Sequence, residues 1–183
     1  MVSMIIASMK SVLATIIGLA LASTAFAGDT YYDPGKTFIT PQEDYCVCYG
    51  PGWEWSAFVA GVFPDGGGEG SIGGGLSLSY FMTERFGLEL GYAVFDTEPA
   101  EQHYSTLDMI YRIPFKNCLA PYIRVGGGVY ANGDTEGILR GGAGIEYAME
   151  RFNCTSIFLD GTYNWINGVE NDIVARVGLK FQF

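Results

Sequence analysis

The sequence predicts an all-β protein, an eight-stranded antiparallel up-and-down transmembrane β-barrel. Three observations predict it. Eight segments between Trp53 and Phe183 alternate apolar and polar residues with a period of two, and turn residues separate them. The segments carry ten charges: Glu54, Glu89, Asp108, Arg112, Arg124, Arg140, Glu146, Asp160, Arg176 and Lys180. All ten stand opposite the apolar phase of their own segment. The last segment sets Ile173, Ala175, Val177, Leu179, Phe181 and Phe183 against Val174, Arg176, Gly178, Lys180 and Gln182, and the given sequence stops at that aromatic residue. A bilayer accounts for such patterning. A cation at its midplane costs about 2–4 kcal/mol, so charge is driven off one face and tolerated on the other. A soluble eight-stranded barrel of lipocalin type is the alternative, with the apolar face inward. Its outside would carry only one or two charges per strand among Gly and Ser.

The elements follow in order. Residues 1–27 read as a cleaved signal peptide. Lys10 lies in a short polar start, an apolar run follows from Val12 to Ala22, and Ala25-Phe26-Ala27 places small residues at −3 and −1. The apolar run is too short for a retained spanning helix of about 20 residues. Cleavage removes Lys10 and leaves nine cations against 20 acids, a net of −11. That acidity argues against nucleic acid as a partner. Residues 28–52 show no sustained period and are broken by Pro34, Pro41, Pro51 and several Gly, so they read as a periplasmic tail or plug. Residues 53–183 read as the barrel, one domain. Abundant Gly, Tyr and Phe suit strands and aromatic belts.

The strands are expected at Trp53–Phe63, Ser71–Met82, Phe86–Phe95, Tyr104–Phe115, Pro121–Tyr130, Ile138–Ala148, Ser156–Trp165 and Ile173–Phe183. Three connections, at 82–85, 116–118 and 149–151, are short. With an even strand number and a periplasmic N-terminus they are the periplasmic turns. The outer connections centre on 64–70, 96–102, 131–136 and 166–172. They hold nine acids, Asp65, Glu69, Asp96, Glu98, Glu101, Asp134, Glu136, Glu170 and Asp172, and no Lys or Arg. Such a rim would attract divalent cations that bridge to lipopolysaccharide phosphates, or a cationic partner; the plainer reading is that the acids keep short loops solvated.

The chain resembles the small outer-membrane β-barrel family, of the type related to the N-terminal domain of outer membrane protein A. The resemblance rests on Pro121-Tyr122-Ile123-Arg124-Val125-Gly126-Gly127-Gly128, Gly141-Gly142-Ala143-Gly144-Ile145-Glu146-Tyr147, Asp160-Gly161-Thr162-Tyr163 and the closing Val177-Gly178-Leu179-Lys180-Phe181-Gln182-Phe183. It implies outer-membrane localisation in a Gram-negative-type envelope, contact with lipid and lipopolysaccharide, and insertion by the barrel-assembly machinery. Val177, Leu179, Phe181 and Phe183 would be the insertion signal. No peptidoglycan-binding domain is seen after Phe183, so that role of larger relatives is not expected. A shared fold does not fix an activity.

Inside the strands five acids face five cations, which predicts a lumen filled by paired charges. Inward Gly126, Gly128, Gly142 and Gly144 leave room for the long side chains. A gated ion path or narrow solute passage is the sharper alternative. Cys46, Cys48, Cys118 and Cys154 all fall at the periplasmic end, an oxidising compartment, so disulfides are expected over free thiols or a four-sulfur metal site. Cys46 and Cys48 are expected to pair with Cys118 and Cys154 in either order, pinning the N-terminal segment across the mouth. Outward Gly127, Gly141 and Gly161 are read as relief for curvature rather than as a docking patch. His103-Tyr104-Ser105 resembles the catalytic His-x-Ser pair of outer-membrane lipid A deacylases. That resemblance implies His103 as base, Ser105 as nucleophile and an orienting carboxylate. Asn117 stands near the family's Glu position and the flanking residues depart, so no enzyme, cofactor or metal is expected. The expected state is a monomer with a structural or interactional role in the envelope.

Overall fold

The computed structural model describes residues 46–96 and 101–183. The expected signal peptide at 1–27 and most of the expected tail lie outside the described residues. Eight strands close into one antiparallel barrel, each paired with its sequence neighbours and the last with the first. They are β1 (Gly52–Pro64), β2 (Ser71–Phe81), β3 (Phe86–Phe95), β4 (Gln102–Arg112), β5 (Leu119–Asn132), β6 (Asp134–Met149), β7 (Thr155–Ile166) and β8 (Asp172–Gln182). Closure leaves no strand edge with unpaired backbone groups, the condition for crossing hydrocarbon.

The register fixes how wide the barrel is. Stepping from partner to partner, Glu54 leads to Ser79, Glu89, Asp108, Gly126, Arg140, Asn164 and Asp172, and returns to β1 at Pro64, ten positions further on. Eight strands with such a stagger enclose an interior that side chains just fill. The same spiral carries seven polar or charged groups, so the staggered ladder itself distributes charge up the lumen.

Burial decides which phase faces inward. Leu76, Leu90, Ile123 and Leu139 are about 60% exposed, whereas Arg112, Asp108 and Glu146 are 0–1% exposed. The apolar phase is therefore outside and the charges are inside, against the inward-apolar alternative. Exposed aromatic residues stand near both ends of the apolar surface. Trp53, Trp55, Tyr80, Tyr111, Phe115 and Tyr147 lie towards the end that holds the start of β1; Phe63, Tyr92 and Trp165 lie towards the far end. Amphipathic rings take such positions at membrane–water interfaces.

Two connections differ from expectation. Regular β4 stops at Arg112 because Pro114 has no N–H to donate. The hairpin nonetheless continues through Ile113 N to Pro121 O and Phe115 N to Leu119 O, both 2.9 Å. The outer connection expected at 131–136 shrinks to a turn at Gly133, whose φ of +83° an L side chain rarely adopts. The polar residues around it hide a strand that pairs to the tip, Asn132 with Asp134.

Inward glycines stand beside the bulkiest lumen groups. A Cβ on Gly144 would lie 2.6 Å from Tyr122 Cζ and 2.7 Å from the Leu159 carbonyl oxygen; one on outward Gly161 would meet nothing within 4 Å. Gly144→Ala should therefore cost about 1–3 kcal/mol as overpacking, and Gly161→Ala should be near neutral. Urea unfolding in lipid vesicles measures both; equal effects would contradict the assigned facing.

Candidate functional site

The site is the lumen with its two mouths. At the mouth beside the start of β1, four side chains from β1, β4, β6 and β8 form a ring of alternating charge. Arg112 Nη1 lies 3.1 Å from Glu54 Oε1 and 3.3 Å from Glu146 Oε1; Lys180 Nζ lies 2.7 Å from Glu146 Oε2 and 3.5 Å from Glu54 Oε2. The Arg112 guanidinium sits 3.8 Å over the Phe81 ring and 4.5 Å from that of Tyr49. These contacts favour the cations where water does not reach them.

Above the ring is a second, denser layer. Arg124 bridges three acids, Glu89 at 2.7 Å, Asp160 at 3.1 Å and Asp108. Arg176 grips Asp160 in a fork through Nε at 2.8 Å and Nη2 at 2.6 Å, and reaches Glu89 at 3.2 Å. The Tyr122 hydroxyl donates to Asp160 at 2.7 Å and Ser79 donates to Glu89 at 3.2 Å. Arg140 leans on Asp108 at 3.5 Å and donates to Thr162 at 3.2 Å. Between this layer and the far mouth lies a void of about 10 Å³, no more than the space a single water occupies. All ten charges singled out by sequence phase stand in these two layers.

The first mouth is covered by the segment before β1. Cys46 is bonded to Cys118 in the β4–β5 turn, and Cys48 to Cys154 at the start of β7. The bridges hold Tyr49 over the ring, where its hydroxyl donates to the Cys118 carbonyl at 2.7 Å and the Glu146 carbonyl at 3.3 Å. Burial, with the Glu146 carboxylate next in importance, pushes the Tyr49 phenol well above its usual range. Cys118 and Cys154 both have positive φ, 60° and 56°, a strained conformation outside glycine; the tethers fasten the chain in the tight connections that lead into β5 and β7.

At the far mouth, Asp172 is buried, not part of the outer rim as the sequence suggested. Its carboxylate accepts from the Tyr104 hydroxyl and from Asn164 Nδ2, each at 2.6 Å. Its place follows from the phase of Val174 and Arg176, extended one step beyond the expected strand. Of the other rim acids, Glu98 lies outside the described residues, and Asp134 and Glu136 belong to β6. Tyr104, Asn164, Thr162 and Tyr122 were missed because neutral polar and aromatic residues carry no phase signal as sharp as a charge.

His103 and Ser105 lie on the outer surface of β4 near the far end. The imidazole Nδ1 is 2.9 Å from the Tyr92 hydroxyl, and Nε2 is 3.8 Å from Glu101. Asn117 sits in the β4–β5 turn at the opposite end of β4, so the three do not converge. Outward Gly127 and Gly141 pair with Leu139 and Tyr163, while Gly161 lies between Ala143 and Ala175. In the closing strand Val177, Leu179 and Phe183 are exposed, and Phe181 stacks on Trp55 at 4.5 Å.

No protein-family model matches the sequence, and no curated protein matches it. Solved structures do. OprG from Pseudomonas aeruginosa is 16% identical with a TM-score of 0.56, over 75% of this chain and 99% of that one. The N-terminal β-barrel domain of Pseudomonas aeruginosa OprF is 19% identical with a TM-score of 0.52, over 71% and 97%. Neisserial surface protein A is 16% identical with a TM-score of 0.52, over 72% and 96%. The chain thus has the fold of eight-stranded outer-membrane β-barrels, a fold shared by proteins of different roles.

The dense layer makes a ranked prediction. Arg124→Met takes one cation from three buried acids at once, leaving Glu89 and Asp160 to Arg176 alone and Asp108 only the 3.5 Å contact with Arg140, and should cost about 3–5 kcal/mol, the range for breaking a buried pair. Lys180→Met leaves Glu54 and Glu146 still bridged by Arg112 and should cost less. Unfolding in lipid vesicles orders the two; the reverse order would contradict the layer assignment.

Proposed function

We propose that this chain is an exported, monomeric outer-membrane barrel that strengthens the cell envelope rather than conducting solutes or catalysing a reaction. The interlocked charge network carries this reading. Two ion-paired layers occupy the lumen, and Tyr49 lies across one mouth under two disulfides. A side-chain-filled barrel of this width has no room for an aqueous column. The apolar belt of exposed Leu, Ile and Val supports lipid contact over the whole circumference.

On this reading the disulfide-bearing mouth faces the periplasm, an oxidising space. The cleaved segment is 1–27, and Val177, Leu179, Phe181 and Phe183 form the strand that the barrel-assembly machinery reads. Lipopolysaccharide and its bridging divalent cations meet the acidic connections at the far end. The His103–Ser105 pair supports no hydrolase role, since its imidazole is engaged by Tyr92 and the orienting position at Asn117 is at the other end of the strand.

Purified protein in planar bilayers is expected to give no large, stable conductance steps. A deletion strain is expected to be more sensitive to detergents and to divalent chelation. Large, stable steps would contradict the closed-lumen reading and favour a narrow passage.

A further inference from the structure

The lumen charges do not balance once Asp172 is counted inside. Glu54, Glu89, Asp108, Glu146 and Asp160 are each bridged to an Arg or Lys. Asp172 is 5% exposed and has only neutral donors, Tyr104 and Asn164; it forms no ion pair among the described residues. Arg140, two strands away along the same ladder path, acts on Asp172 only through space; its direct partners are Asp108 and Thr162. A carboxylate taken out of water without a counter-ion is costly. Asp172 is also the buried acid that lines a cavity at the far mouth.

That cavity has a volume of about 110 Å³, several times the ~30 Å³ share of one water. Val62, Ile166 and Val169 give it apolar walls, Tyr130 gives it an aromatic one, and Glu69 and Glu170 stand at its rim; no Lys or Arg among the described residues lines it. The wall is built rather than loose. The Asp65 N–H donates to the Asn171 carbonyl at 2.9 Å, and the Glu170 carboxylate packs against Gly66. The β1–β2 and β7–β8 connections thereby close on each other.

We propose that this mouth binds a small primary alkylammonium ion, whose –NH3+ group supplies the direct ion-pair partner that Asp172 lacks among the described residues. The N–H groups donate to the Asp172 carboxylate, the alkyl chain lies on Val62, Ile166 and Val169, and the Tyr130 face adds a cation–π contact. Glu69 and Glu170 raise the local concentration of cations. A metal ion suits the site less well. The oxygens of Glu69, Glu170 and Asp172 do not gather within 4.8 Å of one another, whereas Ca²⁺ takes six to eight oxygens in its first shell. The proposal stands on the geometry of the far mouth and does not depend on the lumen being closed to ions.

The test is calorimetric titration of the full folded protein, in nanodiscs of zwitterionic lipid, with butylammonium chloride. The expected result is saturable binding of one ion per barrel, with sodium butanoate showing none. Asp172→Asn should weaken binding at least tenfold and Glu170→Gln several-fold. Val169 is in the exposed β7–β8 connection, so Val169→Lys should leave the barrel folded, as read by heat-dependent gel migration, while its own ammonium displaces the ligand and weakens binding at least tenfold. Val169→Lys decides the matter if Asp172→Asn does not fold. Absence of saturable binding, unchanged affinity in Val169→Lys, or displacement of butylammonium by an equal concentration of calcium would overturn the proposal.

Discussion

Everything in this barrel depends on the cost of an unpaired charge in a medium without water. The exterior meets that constraint by excluding charge, and the interior meets it by pairing. Arg124 shows how closely the two are joined. Its guanidinium is buried, and the three carboxylates around it come from β3, β4 and β7. One side chain on β5 thus ties together strands that are not all its ladder neighbours. The ladders hold each strand to the next; the charge layers hold the cylinder across its diameter.

Pairing on this scale requires space, and glycine supplies it. Gly126 lies against Asp108, Gly142 against Thr162, and Gly144 against Tyr122 and Asp160. A side chain at any of these positions would push the charged groups off the register that lets them meet. The ten-position stagger matters for the same reason: it turns one ladder path into a spiral, so that Glu54, Glu89, Asp108, Arg140 and Asp172 stand at successive points around the wall rather than crowding at one height. Sequence spacing, barrel width and ion pairing are in this sense one constraint.

Much of this was legible in the chain. Strict alternation placed eight strands, and the charge phase separated lipid face from lumen, because a bilayer penalises every error of phase along a strand by the same mechanism. Legibility failed where that penalty lapses. At the tip of β5 and β6 both faces are polar, and a paired strand read as a loop. At Pro114 the pattern continues although the regular ladder stops. Asp172 sits at the first step of β8, where one residue decides between rim and lumen and alternation has not yet begun. The cysteines announced two bridges but not their pairing, which depends on which turn lies nearer each half-cystine in three dimensions. Tyr49 carried no signal, since its role comes from where the bridges hold it.

The central claim is the facing of the strands, and site-directed spin labelling tests it most directly. Labels at Leu88, Ile123 and Val177, one on each of three strands, are expected in lipid vesicles to relax strongly with oxygen, which concentrates in hydrocarbon, and weakly with a water-soluble nickel chelate. Strong relaxation by the chelate at these three positions would place the apolar stripe in water and contradict the account.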